Sequence, residues 1–386
     1  MVVKTNTRPN KLDERLGTFD KAIITATYFG FRPITTPKIT KRDIELVQHC
    51  GNHPYYDASE KMAVLRTYLE QNLASQPHPL ALVYKTPTTR NRFSSYALHF
   101  IGSSSGIAEA TLIRTALSIL SEAGHKNLNL NINCIGDKES INIYERELAN
   151  YMRKFGTDLS DELKQGIKED IFNLFRLEAP EILHLRESAP PAITFLSAPN
   201  RIYFKEVLEY IEALGIGFNL TPELVGERNH VSHTIFAIKN IGEKIETLAV
   251  GYRYSRLARL LGLRKEIPMA SVTIFPMVND GVLGRIYKEL PKPKFYLVQL
   301  GKDAKIKTLS LIELLRTHRI PVYHFLGKDK ITTQLTNAEN LRVSHLIIIG
   351  QKEALDNTAT VRNMVTRVQD TINMADLPNY LKNITL

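Results

Sequence analysis

At 386 residues, with 43% hydrophobic and 23% charged side chains, the chain has an ordinary soluble globular composition and the length for two or three domains. No apolar run reaches the roughly 20 residues that cross a bilayer, the opening MVVKTNTRPN has no apolar core, and Cys50 and Cys134 stand far apart without metal-spaced partners; a membrane anchor, a leader, a disulfide framework and a metal site are therefore not expected, and a cytoplasmic protein is. The net charge of +10 favours an anionic partner, nucleic acid first, over a basic surface kept for solubility.

In chain order, Leu16, Phe19, Ala22, Ile23, Ala26 and Phe29 recur at helical spacing, and Gly30 is placed to end that helix. Phe31–Pro37 reads as a short extended segment whose Pro33 and Pro37 suit an edge or an interface. A helix is expected over Ser59–Leu73, then strands over Leu80–Thr86 and Tyr96–Ile101 with a short polar connection between them. Gly106–Gly124 has the apolar stripe of a helix, and Leu128–Asn133 alternates as a half-buried strand does. Residues 137–188 are charged with i,i+3/i+4 apolar spacing, which predicts a helical insertion over about 137–200. Tyr203–Gly215 is a further helix.

The stretch Leu220–Gly262 organises the rest. Two strand-like runs, His233–Lys239 and Lys244–Gly251, flank Asn240-Ile241-Gly242-Glu243, a hairpin pattern. A short basic helix from Arg253 follows, with Gly262 at its end. A hairpin has two open edges, so this one must join a larger antiparallel sheet, to which Ala270–Phe275 adds a strand.

Leu290-Pro291-Lys292-Pro293-Lys294 is a stiff, exposed connector and divides the chain into 1–290 and 291–386. Beyond it strands Phe295–Leu300, Val322–Phe325 and His345–Gly350 alternate with helices Ala304–His318 and Ile331–Leu341, a parallel α/β pattern. Residues 291–386 hold fourteen Lys/Arg against eight Asp/Glu, a surplus of six.

Phe29–Pro37, Asn131–Gly136, the block from Glu223 to Phe236, Tyr252-Arg253-Tyr254-Ser255 and the rhythm of Leu300-Gly301, Gln334, Ala338 and Ile347–Gly350 together resemble histidyl-tRNA synthetase, a class II aminoacyl-tRNA synthetase. The resemblance covers nearly the whole chain. It implies an α+β class II antiparallel sheet with helices, followed by an α/β domain of the anticodon-binding type. It also implies a homodimer through residues 12–37, tRNA as partner, and ATP with Mg only if ligase activity survives.

The catalytic motifs depart from the family. Motif 3 should bring an arginine where Val278 stands, and the first histidine signature should bring one where Gly226 stands. Tyr252 and Ser255 stand where the second signature carries glycine and an acid, and the motif 2 loop is cut to a few residues around Arg92–Ser95. No confident catalytic residue remains. Remnants of a substrate pocket are Glu60, Arg90, Glu109, Arg228, Arg253 and Tyr254. Arg90 and Arg253 are weighed equally as anion contacts and as salt-bridged arginines; Glu60 and Glu109 suit helix starts. Arg256, Arg259 and Arg264 read as a solvated basic face, and His230 with His233 lacks the further ligand a metal needs. The resemblance points Lys328, Lys330, Arg342, Lys352 and Arg362 at RNA phosphates. The expected function is that of an inactive paralogue binding tRNA or other RNA, with a divergent histidine–tRNA ligase and a regulatory subunit of another enzyme as alternatives.

Overall fold

The computed structural model describes residues 18–50, 55–76, 78–86, 94–155, 159–227, 229–242, 245–278, 280–284, 286–327 and 330–384. Helix α1 (Lys21–Tyr28) starts where the Asp20 carboxylate accepts the Ile23 amide at 3.0 Å, and Gly30, at φ 82°, turns the chain out of it. The extended segment that follows narrows to a two-residue strand, β1 (Arg32–Pro33), because Pro33 has no amide to donate. Helix α2 (Lys41–Leu46) has no apolar stripe to announce it; a capping box between Thr40 and Asp43 sets it instead. Asp57 caps α3 (Ala58–Glu70).

Seven further strands complete the first sheet: β2 (Leu80–Thr86), β3 (Ser95–Ile101), β4 (Leu128–Cys134), β5 (Phe218–Leu220), β6 (Ser232–Asn240), β7 (Glu246–Arg253) and β8 (Met269–Ile274). Their order is β1-β2-β3-β8-β7-β6-β4-β5, antiparallel throughout except for the parallel pairs β1/β2 and β4/β5 at the two edges. Period two assigns the faces. Phe236 and Ile238 of β6 enter the core shared with α1, α4 (Ile107–Glu122) and α9 (Ala198–Ala213). Ile235 and Ala237 enter the opposite core, shared with α3 and the insertion helices α5 (Lys138–Phe155), α6 (Asp161–Glu169), α7 (Asn173–Arg176) and α8 (Pro180–Ser188). Gly251 lies so close to the Phe236 ring that no Cβ fits there. The basic helix after β7 is a 3-10 turn, Ser255–Leu261, ended by Gly262 at φ 79°.

Between β8 and the second sheet the described residues hold the four-residue helix α10 (Asp280–Leu283). The second sheet has the order β10-β9-β11-β12-β13. Its strands β9 (Phe295–Gln299), β10 (Val322–His324) and β11 (His345–Ile349) run parallel. A hairpin absent from the sequence expectation, β12 (Thr358–Asn363) and β13 (Gln369–Asn373), extends it antiparallel. All of β13 but Ile372 is exposed, so no apolar alternation marks it. Helices α11 (Lys302–Thr317), α12 (Ile331–Asn340), α13 (Gln351–Asp356) and α14 (Leu377–Asn383) cover this sheet. Gln334 and the Gln299 backbone exchange two hydrogen bonds, 3.1 and 2.9 Å, that pin α12 to β9.

Helix α11 packs against α1 and shares one continuous core with it and α4. Ion pairs Arg316–Glu122 (2.6 Å) and Arg114–Glu313 (2.5 Å) cross the same contact, and His324 lies against Gly30. The apolar face of α1 is thus buried within the chain. No helix of the described residues is long and apolar enough to cross a membrane.

Candidate functional site

Arg253 ends β7 with its side chain on the α4 side of the sheet, and 3% of it is exposed. Its Nε donates to Glu109 Oε1 at 2.5 Å and to the Tyr203 hydroxyl at 2.8 Å. Its Nη2 donates to Glu109 Oε2 at 3.0 Å and to the Ser105 carbonyl at 3.2 Å, and Nη1 donates to the Ser103 carbonyl at 2.7 Å. Burial works against the charge, and the Glu109 carboxylate outweighs burial, so the guanidinium stays protonated. Every nitrogen is spent on the protein itself. A cleft of about 290 Å³ opens beside Arg253, between Asp137, Tyr203, His233 and Glu266. Of the two roles weighed for Arg253, the salt-bridged one is what the contacts support.

On the other face of the sheet lies a second polar cluster. The Tyr84 hydroxyl donates to Glu60 Oε1 and lies 3.0 Å from His99 Nε2, while Tyr254 lies 2.7 Å from His99 Nδ1. Burial, with Lys61 adding to it, holds the His99 pKa well below its ordinary value, so the ring is neutral and has one N–H. Since Tyr84 spends its proton on Glu60, its oxygen accepts from His99 Nε2, and Nδ1 accepts from Tyr254. The bonds therefore run in one direction, from Tyr254 through His99 and Tyr84 to the carboxylate. Lys61 closes the end, donating to Glu60 Oε2 at 2.7 Å and to the Thr273 hydroxyl at 3.3 Å.

Tyr252 fills the space beside this chain. Its ring is 2% exposed and meets Tyr56 at 5.3 Å, His230 at 5.7 Å and Tyr254 at 6.4 Å between centroids, with Lys61 Nζ 5.8 Å from its own centre. Burial pushes the phenols of Tyr84, Tyr252 and Tyr254 up, Glu60 adding to each, so all three stay neutral. His230 belongs to this face, whereas His233 stacks edge-on against Tyr203 on the Arg253 face. The sheet separates the two histidines, which rules them out as a pair on one metal. Lys61, Tyr84 and His99 went unnoticed in the sequence. Their signal was polarity at inward positions: His99 sits within Tyr-Ala-Leu-His-Phe-Ile, and Lys61 on the apolar side of α3.

Lys330 and Lys352 are exposed at the carboxyl ends of the parallel strands, the first capping α12 after β10 and the second in α13 after β11. Arg342 precedes β11, and Arg362 pairs in register with Leu346 near the start of that strand. The four described candidates for phosphate contact are therefore divided between the two ends of the sheet, and the fifth, Lys328, lies outside the described residues. So do Arg90 and Arg228.

Residues 294–384 match the anticodon binding domain family. Over 342 residues the chain is 27% identical to a histidine–tRNA ligase of Bacillus licheniformis, an alignment covering 84% of the chain and 80% of the relative. It is also 27% identical to that of Bacillus subtilis over 339 residues, 83% of the chain and 79% of the relative. The crystal structure of apo histidyl-tRNA synthetase from S. aureus superposes with a TM-score of 0.52 at 23% identity, covering 92% of each chain. Over more than four-fifths of its length the chain is thus similar to histidine–tRNA ligases.

Two positions where that family resemblance leads one to expect arginine can now be described. Gly226 has φ 65°, and a Cβ there would lie 2.8 Å from both Ile235 Cδ1 and Val231 Cγ1, so this backbone has no room for a side chain. Val278 is half-buried against the α1–α4 core, and between β8 and β9 the described residues hold no helix longer than the four-residue α10. Ser255, in place of the family's acid, is 6% exposed and its hydroxyl accepts the Met269 amide at 3.1 Å. Arg259 pairs with Glu266 at 3.1 Å.

Proposed function

We propose that this histidyl-tRNA synthetase-like chain does not activate an amino acid and acts in the cytoplasm by holding tRNA, or another RNA, on its C-terminal domain. The observation that carries the reading is Tyr252, buried among Tyr56, His230 and Tyr254 where the family resemblance implies a glycine. Gly226, with no room for the expected cation, supports it. Support for RNA comes from the match of residues 294–384 to an anticodon binding domain and from the surplus of six positive charges in residues 291–386.

Ligands of parallel α/β sheets gather at the carboxyl ends of the strands, the end that carries Lys330 and Lys352. Changing both to Ala is expected to flatten the dependence of log K on log salt by about 1.4–1.8 units, near 0.7–0.9 for each phosphate no longer neutralised. Changing Arg342 to Ala, at the opposite end, is expected to leave the slope intact. Filter binding of bulk tRNA across a salt series measures both. Binding that the lysine pair leaves unchanged, or binding no tighter than that of an equally basic unrelated protein, sinks the RNA reading.

The rival reading is a divergent ATP- and Mg-dependent histidine–tRNA ligase, which the relatives' extent along the chain favours. The pyrophosphate-exchange measurement discussed below separates the two. Homodimerisation is proposed to use the segment around β1, the terminal strand of the first sheet, since the apolar face of α1 is covered by α11. Light scattering at micromolar concentration is expected to give twice 43.8 kDa; the single-chain mass would count against it.

A further inference from the structure

A further cleft lies where the helices of the two sheets meet, away from the Arg253 and His99 clusters and from the lysines of the second sheet. It encloses about 460 Å³, within the range of small-ligand sites. Lys21, Ile24 and Tyr28 of α1 form one wall; Arg316, Thr317 and the following Arg319 form another. Ile24, Val282 and Pro291 make part of the lining apolar.

Its charges do not balance. Lys21 and Arg316 both pair with Glu122 at 2.6 Å, Arg316 also pairs with Glu313 at 2.8 Å, and Glu313 binds Arg114 at 2.5 Å. With Arg319 the cluster holds four cations and two carboxylates. The neighbouring cations hold both carboxylates below their ordinary pKa against the opposing effect of burial, so Glu122 and Glu313 are ionised at neutral pH and the surplus of positive charge is real. Arg319 makes no ion pair among the described residues. It also occupies the left-handed turn that ends α11, φ 60°, a position where glycine is the low-cost choice. The Tyr28 hydroxyl lies within the field of Arg316 and Arg319, and its pKa is nevertheless raised by burial, so it is a neutral donor facing the same space.

We infer that this interdomain cleft binds a small phosphomonoester with a flat apolar body, of the class of nucleoside monophosphates. The phosphate, carrying about −1.5 to −2 at pH 7, matches the surplus of two charges and meets Arg319, Arg316 and the Tyr28 hydroxyl. The body of the ligand lies along Ile24, Val282 and Pro291. Because the walls come from both domains, the bound ligand ties α11 to α1.

Calorimetric titration of the full chain with AMP, adenosine and inorganic phosphate tests the inference. AMP is expected to bind, inorganic phosphate to bind more weakly, and adenosine not to bind. Arg319 is exposed, so Arg319→Ala should fold normally; it is expected to weaken AMP about tenfold, the worth of one charge-assisted hydrogen bond, while Arg319→Lys retains most of the affinity. Tyr28→Phe keeps the ring and should weaken AMP by a smaller factor. AMP binding that Arg319→Ala leaves unchanged would assign the nucleotide to another site and overturn the inference, as would absence of AMP binding at millimolar concentration. Neither result bears on adenylation or on the tRNA salt slope, so this inference and the proposed function fail separately.

Discussion

Histidine-dependent exchange of pyrophosphate into ATP is expected to stay at background for this chain. Adenylation builds negative charge on the α-phosphate, and an enzyme lowers that barrier with cations fixed before the reaction begins. The family resemblance implies arginines at Gly226 and Val278, and neither position can be rescued by a rotamer. Removing one fixed donor to a developing charge costs about 2.7–4 kcal/mol, so two together cost about 5–8 kcal/mol. At about 1.36 kcal/mol per decade, the rate falls by about four to six decades. Tyr252 acts separately, by occupying volume. Tyr252→Gly should open space and lose stability, about 3–5 kcal/mol for a buried aromatic, without restoring exchange, because the cations remain absent. Exchange above the histidine-free control, in the native chain or in the opened variant, would show that a cation is supplied from elsewhere and would return the chain to the ligases.

The elements were legible in the sequence where one physical signal decided them. The hairpin of β6 and β7 follows from alternation and the Asn-Ile-Gly turn, and Gly262 ends its 3-10 turn at the expected residue. Helix α2 and the hairpin of β12 and β13 were not legible, because a capping box and an exposed edge leave no periodic apolar trace. The candidate site was legible in identity and illegible in arrangement. Arg253 and Glu109 were both picked out, but a sequence carries no information that they are bidentate partners across 144 positions. Lys61, Tyr84 and His99 were not legible, because a polar residue in an apolar element gains its meaning only where diagonal neighbours on β2 and β3 meet α3.

Glu109→Gln is expected to be among the most destabilising single changes available to this chain. Glutamine keeps the volume and leaves a guanidinium, 3% exposed, without its counter-charge. Breaking a buried pair from one side costs about 3–5 kcal/mol, a large part of the roughly 5–15 kcal/mol that holds a domain together. The urea midpoint should fall accordingly, with the slope unchanged if the native state stays compact. Removing both charges together should cost less. In Glu109→Gln/Arg253→Met no uncompensated charge remains, so the double variant is expected to lie above Glu109→Gln in stability. This ordering separates the two roles considered for Arg253. An arginine held in reserve for a substrate anion would tolerate loss of Glu109 and would lose ligand binding when changed to Met. A Glu109→Gln variant within about 1 kcal/mol of the native chain, the size of a surface substitution or an exposed ion pair, would overturn the structural assignment.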